Sequence, residues 1–377
     1  MELNSILAQR YSGLFTYGAG LLEGLAALNE LELVLFCGRK AYAHRDWLEQ
    51  VCPTLQPRQF PWSIPFWKAR HLAHWWRRFG FPSLQRYAGP FDLYHCHHHL
   101  MPPTRGKPRL LTVHDLRRYR YPQFYPRSRK EPFENAVRRA DHFIAISHTT
   151  RRDLREFFDI PEYRIDVVYH GGPLPALNPS SRADRTAASV LLTRFGLQPN
   201  HYFLALASYD KRKNLPNTIR AFVQAASRLP ADYKLVIVGH GPAEKDVFPS
   251  DITLPSSERV VCTGPLPDFT PLMEQSTALV YTSLYEGFGL PLLEAMSAGA
   301  PVICSNCSAL PEVAGPAARL VDPHQPEDIA AALVEIAGNE EKQMQLTEAG
   351  FRRAAEFSWQ RAAVETLAVY QKLITGN

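Results

Sequence analysis

Short apolar segments alternate with longer amphipathic segments along almost the whole 377-residue chain. The apolar segments are rich in Val, Ile, Leu and Phe and lack a regular polar alternation, which is typical of strands buried on both faces of a parallel sheet. The predicted strands are Leu31–Cys37, Asp92–Cys96, Arg109–His114, His142–Ile146, Asp166–His170, Tyr202–Ala207, Lys234–Val238, Val260–Thr263, Ala278–Tyr281, Pro301–Cys304 and Arg319–Val321. We therefore predict an α/β protein with parallel sheets covered by helices.

One stretch interrupts this alternation. Residues 170–189, HGGPLPALNPSSRADRTAAS, concentrate glycine, proline and serine, as an inter-domain linker does. The chain is also too long for one ordinary core. We predict two doubly wound, Rossmann-like domains, residues 1–178 and 179–358, with ligands in a central cleft at the carboxyl ends of their strands. A final helix in residues 359–377 is expected to return toward the first domain.

The net charge differs between the two halves. Residues 1–180 carry a formal charge of +9 and the remainder −4, within a total of +5. The N-terminal stretch MELNSILAQRYSGLFTYG lacks the basic start and apolar run of a signal peptide. Six cysteines in a chain of this length do not suggest a disulfide framework. We expect a cytoplasmic protein whose basic half meets an anionic partner.

Two carboxylates flank a glycine turn in residues 283–306, SLYEGFGLPLLEAMSAGAPVICSN. Glu286 precedes Gly-Phe-Gly, and Glu294 follows inside a helix that Pro291 is suited to begin. Glycines let a ligand approach the backbone, and amides at a helix start favour phosphate. Each carboxylate can accept two hydrogen bonds from a vicinal diol. The pattern suits a nucleotide-sugar, and it equally suits an ordinary strand–turn–helix with two solvated acids.

The stretch EGFGLPLLEAMSAGAPVICSNCSALPEVAG resembles the glutamate-x7-glutamate signature of the retaining GT-B glycosyltransferases of family 4. The resemblance continues, in order and spacing, through SYDKRKNLPNTIRAF, LVIVGHGP, VVCTGPLPD, AARLVDP and FSW. In the first half it includes SGLFTYGAGLLEGL, FDLYHC, LLTVHDL, ADHFIAIS and VVYHGG. It covers nearly the whole chain, is strong in residues 200–325 and is looser before residue 90. It implies the GT-B fold and sugar transfer from a nucleotide-sugar.

The resemblance also implies roles for individual residues of the second domain. Glu294 would bind the ribose hydroxyls, and Glu286 would bind hydroxyls of the donor sugar. The backbone amides of Phe288, Gly289 and Leu290 would lie close to the sugar and the diphosphate.

Lys213, with Arg212 beside it, would neutralise the departing diphosphate, where charge builds up as the glycosidic bond breaks. Many relatives carry a Gly-Arg pair a few residues upstream, where this chain has Ala207 and Ser208. Either Arg212 supplies the missing charge, or the Arg-Lys pair suffices.

Two residues of the first domain complete the implied site. His114, in TVHDL, would lie near the anomeric carbon; the alternative is a structural histidine at a strand end. Gly13, in SGLFTY, would belong to a glycine loop near the phosphates. The resemblance implies retention of anomeric configuration, with the leaving phosphate as base and neither metal nor cofactor. We expect no metal at HCHHH (95–99), because zinc ligands usually come from two separated segments.

Aromatic and basic side chains are interleaved in residues 61–82, PWSIPFWKARHLAHWWRRFGFP, and again in residues 116–130. Such a mixture is typical of a helix at an anionic membrane surface, and also of a core helix whose basic side chains reach the solvent. The basic residues of the first stretch are Lys68, Arg70, Arg77 and Arg78. We favour the membrane and a lipid-linked acceptor.

The leading hypothesis is a glycosyltransferase that moves a sugar from a nucleotide-sugar, with GDP-mannose favoured over a UDP-sugar, to a lipid-linked glycan in polysaccharide or lipopolysaccharide biosynthesis. One alternative is the same fold acting on a soluble acceptor, as in sucrose or trehalose synthesis. A second is a catalytically silent scaffold. A nucleic-acid-binding protein would leave Glu286, Glu294 and Lys213 without a role, so we expect no nucleic-acid partner.

Overall fold

The computed structural model describes residues 1–7, 12–53, 62–63, 69–174, 185–208, 210–239 and 259–376. The chain forms two compact units, one of Met1–Leu177 with Phe357–Asn377 and one of Asn178–Glu356. Each is built on parallel strands, which confirms the predicted fold class of two Rossmann-like domains. No helix among the described residues has the length and apolar content needed to cross a bilayer.

The first unit holds helices α1–α9 and α17 and strands β1–β6. The helices are α1 (Asn4–Leu7), α2 (Gly13–Leu28), α3 (Arg39–Tyr42), α4 (Asp46–Val51), α5 (Ala69–Phe79), α6 (Gln85–Ala88), α7 (Arg117–Arg120), α8 (Glu131–Arg139), α9 (His148–Phe158) and α17 (Trp359–Thr375). The strands are β1 (Leu35–Phe36), β2 (Trp62–Ser63), β3 (Tyr94–Cys96), β4 (Arg109–Val113), β5 (His142–Ala145) and β6 (Ile165–Val167).

Strands of the first unit pair in parallel as β1–β2 and as β3–β4–β5–β6. The segment before α1 lies between the two groups, because the Glu2 amide donates to the His95 carbonyl at 3.0 Å while the Leu3 amide donates to the Phe36 carbonyl at 2.9 Å. This segment occupies the position of a first strand, although its apolar pattern is too short to be recognised as one.

Helix α17 is part of the first unit and packs on α2. Ser358 caps its start by accepting from the Arg361 amide at 3.1 Å. The indole Nε1 of Trp359 donates to the Gly172 carbonyl at 2.9 Å. The Tyr370 hydroxyl lies 2.6 Å from Nδ1 of His95 on β3. These contacts, with buried Ala363, anchor the end of the chain in the core of this unit.

The second unit holds helices α10–α16 and strands β7–β12. The helices are α10 (Arg185–Phe195), α11 (Leu215–Ala225), α12 (Thr270–Glu274), α13 (Leu290–Ser297), α14 (Leu310–Ala314), α15 (Pro326–Ala337) and α16 (Glu340–Ala355). The strands are β7 (Tyr202–Ala207), β8 (Lys234–Gly239), β9 (Val260–Gly264), β10 (Ala278–Tyr281), β11 (Val302–Ser305) and β12 (Arg319–Val321).

The six strands of the second unit have the order β12–β11–β10–β7–β8–β9, and all their pairs are parallel. The order reverses between β7 and β10, the first and fourth strands of the unit. Ligands of open α/β sheets bind at the carboxyl ends of the strands at such a switch point. The residues that follow β7 and β10 are therefore the first place to look for a site.

The predicted linker is only partly a linker. Residues 175–184 lie outside the described residues, but α10 begins at Arg185, inside the stretch assigned to the linker. The serine and proline cluster lies before Arg185. The segment from Arg185 to Phe195 has few helix-breaking residues and therefore forms a helix. The linker prediction was wrong for this portion of residues 170–189.

Candidate active site

The switch point of the second unit brings Lys213 and Glu286 together. Strands β7 and β10 are adjacent and parallel, with Val280 in register with Ala205, so their carboxyl ends lie at one edge of the sheet. Lys213 ends a short 3-10 turn after β7, and Glu286 lies in the loop after β10. Residues 73 positions apart in the sequence thereby come into contact.

Glu286 is held by two cations. Its Oε1 lies 2.8 Å from Lys213 Nζ, and its Oε2 lies 2.5 Å from Arg212 Nη1. Burial by itself would raise the pKa of this carboxyl, but the neighbouring ammonium and guanidinium hold its pKa below the usual range. Glu286 is therefore an anion at neutral pH, with one carboxyl oxygen facing each cation.

Arg212 is committed to the protein. Its Nε donates to Asp210 Oδ2 at 2.9 Å, and its Nη1 donates to the Tyr285 carbonyl at 2.8 Å as well as facing Glu286. The residue is only 8% exposed. This side chain ties the loop after β10 to the turn after β7, so Lys213 is the better placed of the two cations to meet a ligand.

Tyr281, the last residue of β10, joins the same cluster. Its hydroxyl donates to Glu286 Oε1 at 2.8 Å and accepts from Lys213 Nζ. The ammonium nitrogen also lies 4.4 Å from the centre of the tyrosine ring, within the range of a cation–π interaction. Nothing in the sequence marks this residue, because it forms part of an ordinary apolar strand.

Asn214 fixes the turn that carries Lys213. Its φ of 57° is left-handed, a conformation that asparagine tolerates better than most residues. Its Nδ2 donates to the carbonyls of Thr282 at 3.1 Å and Pro323 at 2.7 Å. One side chain therefore connects the loops that follow β7, β10 and β12. It also lay outside the residues chosen from the sequence.

The loop from Glu286 into α13 is closely packed. Gly289 has a φ of 120°, and a Cβ there would lie 2.8 Å from Leu310 Cδ2. Phe288 is buried, and Leu290 begins the helix with Pro291 behind it. Ser308 accepts from the Glu286 amide at 3.0 Å. The three predicted amide donors, Phe288, Gly289 and Leu290, thus lie on one rigid turn beside the carboxylate.

Glu294 lies one helical turn further on, in α13, and is partly buried. Burial raises the pKa of its carboxyl to about 7, and the charge of Lys213 only partly offsets this effect. Glu286 and Glu294 therefore differ in charge state near neutral pH: the first is fully ionised and the second titrates. Two acids in one helix–loop element have been given different properties by their surroundings.

His114 and Gly13 belong to the first unit. The His114 ring packs edge-on against Tyr17, with ring centres 4.6 Å apart, and burial lowers its pKa to about 4. Its Nε2 is buried and has no hydrogen-bond partner among the described residues. Gly13 is the first residue of α2, whose N-terminus is capped by Ser12, so it begins a helix and is not part of a loop.

The first three residues of the histidine-rich stretch are built into the core, whereas His98 and His99 are exposed. His95 Nε2 lies 2.7 Å from the Thr112 hydroxyl, while both ring nitrogens of fully buried His97 lack a partner among the described residues. Burial holds the pKa of each ring well below its usual value. In the described part of the chain, no three His, Cys, Asp or Glu side chains are arranged to hold a metal ion.

Comparison with known proteins gives a consistent result. Residues 196–353 match the family described as Glycosyl transferases group 1, and residues 11–173 match Glycosyltransferase Family 4. The O-antigen chain mannosyltransferase B of Escherichia coli is 30% identical over 284 residues, 72% of this chain and 72% of that protein. The MMP alpha-(1->4)-mannosyltransferase of Mycolicibacterium hassiacum is 36% identical over 252 residues, 64% of this chain and 56% of that protein.

Solved structures agree on the fold. Anabaena HepE in complex with UDP and glucose has a TM-score of 0.65 at 16% identity, covering 94% of this chain and 96% of that one. Two units, each built on a parallel sheet, are the architecture of the GT-B fold that this neighbour shares. The chain belongs to the group 1, family 4 glycosyltransferases, which confirms the resemblance found in the sequence.

Proposed function

We propose that this glycosyltransferase moves mannose from GDP-mannose, with retention of anomeric configuration, to a lipid-linked glycan in polysaccharide or lipopolysaccharide biosynthesis. The observation that carries the proposal is the buried cluster of Lys213, Glu286 and Arg212 at the switch point. It combines a carboxylate for sugar hydroxyls with a cation for phosphate, and it leaves one ammonium N–H of Lys213 without a described acceptor.

The reaction breaks the bond between the anomeric carbon and the β-phosphate oxygen and forms a bond to an acceptor hydroxyl oxygen. The hydroxyl proton goes to the departing phosphate. Lys213 stabilises the charge that develops on that phosphate, and Arg212 keeps Glu286 in place. Because Lys213 supplies positive charge at the departing phosphate, the proposal requires no metal.

The other assigned groups bind and orient the donor. Glu286 would accept hydrogen bonds from hydroxyls of the sugar, and Glu294 would accept them from the ribose diol. The amides of Phe288, Gly289 and Leu290 would donate to the diphosphate. His114, neutral because burial lowers its pKa, would act as a hydrogen-bonding group and not as a charge. Gly13 is assigned to the phosphates only by resemblance.

Relatives named as mannosyltransferases favour mannose as the transferred sugar. A structural neighbour that binds UDP and glucose keeps UDP-sugars as the next candidates. The name of one relative includes the O-antigen chain, which supports a growing glycan as acceptor. A soluble acceptor is the alternative, and it is supported by a relative named D-inositol 3-phosphate glycosyltransferase, from Salinispora tropica, which is 30% identical over 319 residues.

Exposed aromatic side chains at the end of α5 support peripheral contact with an anionic membrane. Trp75, Phe79 and Phe81 are 41%, 53% and 56% exposed, and their ring centres are 4.7 to 6.2 Å apart. Arg78 lies beside them. Lys68 and the side chains of Arg70 and Arg77 lie outside the described residues. Vesicles containing anionic lipid should bind the protein at low salt, and Trp75→Ala with Phe79→Ala should weaken that binding.

The test of the proposed function is a thermal-shift panel of GDP-mannose, UDP-glucose, UDP-N-acetylglucosamine and their nucleotides. A ligand that binds the folded protein raises its midpoint by mass action. One nucleotide family should raise the midpoint of the wild type, and Glu294→Ala should lose that shift. The absence of a shift with every nucleotide would contradict the proposal and favour the silent scaffold.

A further inference from the structure

We propose that Tyr281 is a positioning residue that acts through Lys213 and orients its ammonium group toward the departing diphosphate. The inference rests on the proposed function, because it takes the diphosphate as the ligand of Lys213. Its basis is a closed triangle of contacts: the Tyr281 hydroxyl, Lys213 Nζ and Glu286 Oε1 each contact the other two.

The hydrogen-bond donors and acceptors of the cluster determine the role of the Tyr281 hydroxyl. A protonated lysine has three N–H donors and no acceptor. Lys213 directs one donor at Glu286 and one at Tyr281, so a single donor remains for a ligand. The phenol donates its own proton to Glu286, which leaves its oxygen to accept from the ammonium. The two acceptors lie 2.8 Å apart and hold the ammonium from one side, so the remaining donor is directed away from them.

The aromatic ring is as well held as the hydroxyl. Tyr281 is 3% exposed and ends β10, where it is in register with Cys304 of β11. The ammonium lies 4.4 Å from the ring centre. Phenylalanine would retain the ring, its burial and the cation–π contact, and it would remove only the hydroxyl. Tyr281→Phe therefore separates orientation of Lys213 from packing.

The expected effect differs between ligands. Without the Tyr281 hydroxyl, the Lys213 ammonium can rotate about its Cε–Nζ bond. Its hydrogen bond to the β-phosphate should then be weaker. Ligands that end in the β-phosphate, as the leaving group does, should be affected most. Nucleoside monophosphates, which lack this group, should bind equally well to both proteins. The donor KM should change less than kcat, because the charge on the β-phosphate develops as the bond breaks.

The chain offers a matched control. Tyr202, on β7 of the same sheet, is fully buried, and its hydroxyl donates to the Leu272 carbonyl at 2.7 Å. It lies at the amino end of its strand, whereas Tyr281 lies at the carboxyl end of β10. Tyr202→Phe therefore removes a comparable buried hydroxyl hydrogen bond without touching the Lys213 cluster.

The experiment measures nucleoside diphosphate and monophosphate affinity by calorimetry, and donor turnover, for wild type, Tyr281→Phe, Tyr202→Phe, Lys213→Met and the Tyr281→Phe/Lys213→Met double variant. We expect Tyr281→Phe to weaken diphosphate binding about fivefold or more and to lower kcat about 10-fold or more, with monophosphate affinity unchanged. In the Lys213→Met background the same substitution should have almost no effect, since positioning requires the ammonium.

Three results would overturn the inference. Tyr281→Phe could behave like Tyr202→Phe in all measurements. It could reduce binding and kcat by the same factor with and without Lys213, which would identify a general structural effect. If the wild type bound no nucleotide, both the proposed function and the inference would fail. If the wild type and Tyr281→Phe both bound and turned over normally, only the inference would fail.

Discussion

Lys213 Nζ and Glu286 Oε1 form a 2.8 Å ion pair between the residues that follow two adjacent parallel strands. The residue assigned to the diphosphate and the residue assigned to the sugar are thus one electrostatic unit. Both side chains are largely buried, with 15% and 10% of their surface exposed. A change in either residue therefore alters the electrostatic environment and the position of the other side chain.

Glu286→Gln should separate binding from chemistry. The substitution removes the anion that Lys213 and Arg212 share, so Lys213 loses its ion pair while Arg212 keeps its pair with Asp210. Turnover should fall about 100-fold or more, while affinity for nucleoside diphosphate should be kept or increased because the site becomes more positive. Calorimetry with GDP and UDP, beside a turnover assay, measures both effects.

The control for this substitution is Glu348→Gln, an exposed carboxylate in α16 of the same unit whose partner is Arg352 at 3.4 Å. Exposed pairs of this kind contribute little, so this variant should match the wild type. Equal turnover of Glu286→Gln and Glu348→Gln would contradict the role of Glu286.

Nucleoside binding should depend on pH through Glu294. Burial raises the pKa of this carboxyl to about 7, so its ionised fraction increases between about pH 6 and about pH 8. The carboxylate is the better acceptor for a ribose diol, and affinity should therefore increase by up to about tenfold over this interval. Calorimetric titration with guanosine and uridine avoids the titration of a phosphate.

Glu294→Gln supplies the control, because the amide has the same shape and does not ionise. Its affinity should be weak and independent of pH. A pH dependence that persists in Glu294→Gln would assign the titration to another group.

The first unit should lose stability as the pH falls below about 6.5. Burial holds the pKa of His95, His97 and His170 well below the usual value, so the folded unit excludes protons that the unfolded chain binds. The folded-state pKa values are lowered, and stability is therefore present at neutral pH and lost on acidification. Each imidazole should cost about 1 kcal/mol between about pH 7.5 and about pH 5.5.

Urea unfolding followed by tryptophan fluorescence reports on this unit, because all six tryptophans lie within it. His97→Asn removes one titrating group and should make the pH dependence shallower by about one proton. His324→Asn, at an exposed position of the second unit, should not alter it. Stability that stays constant across this pH range would contradict the burial of neutral imidazoles.

Gly24→Ala should destabilise the first unit, although alanine is the better helix former by about 1 kcal/mol. A Cβ at Gly24 would lie 2.5 Å from the Trp359 carbonyl oxygen and 2.9 Å from the Ala363 Cβ, so α2 and α17 would have to move apart. Overpacking of this kind costs about 2 kcal/mol. Urea unfolding measures the difference.

Ala27→Ser, on the exposed side of the same helix, should change the free energy of unfolding by less than about 0.5 kcal/mol. A stabilised Gly24→Ala protein would mean that helix propensity outweighs the contact between α2 and α17.

Strand prediction succeeded for several short apolar runs of the second unit. Tyr202–Ala207, Ala278–Tyr281 and Arg319–Val321 have the same bounds in the sequence analysis and in the structure. The extended segment at residues 1–3 was missed, because its strand-like position depends on hydrogen bonds to Phe36 and His95 and not on its own pattern. The first five residues of α10, 185–189, were assigned to a linker because the preceding residues are rich in proline and serine.

Some residues of the site could not be predicted, because their roles depend on contacts between segments that are far apart in the sequence. Glu286 and Lys213 were selected because a family resemblance marks both, and they prove to be in contact. Tyr281 and Asn214 have no comparable mark, since their roles arise only when the ends of β7, β10 and β12 come together. The restriction of Arg212 to internal partners also depends on Asp210 and on the Tyr285 carbonyl.

The most direct test of the central claim is release of nucleoside diphosphate from GDP-mannose, UDP-glucose and UDP-N-acetylglucosamine, with the anomeric configuration of the transferred or released sugar read by NMR. We expect the wild type to turn over one donor, GDP-mannose first, with retained configuration, and Lys213→Met and Glu286→Gln to be at least about 100-fold slower. Inverted configuration, or equal turnover by the wild type and both variants, would contradict this expectation.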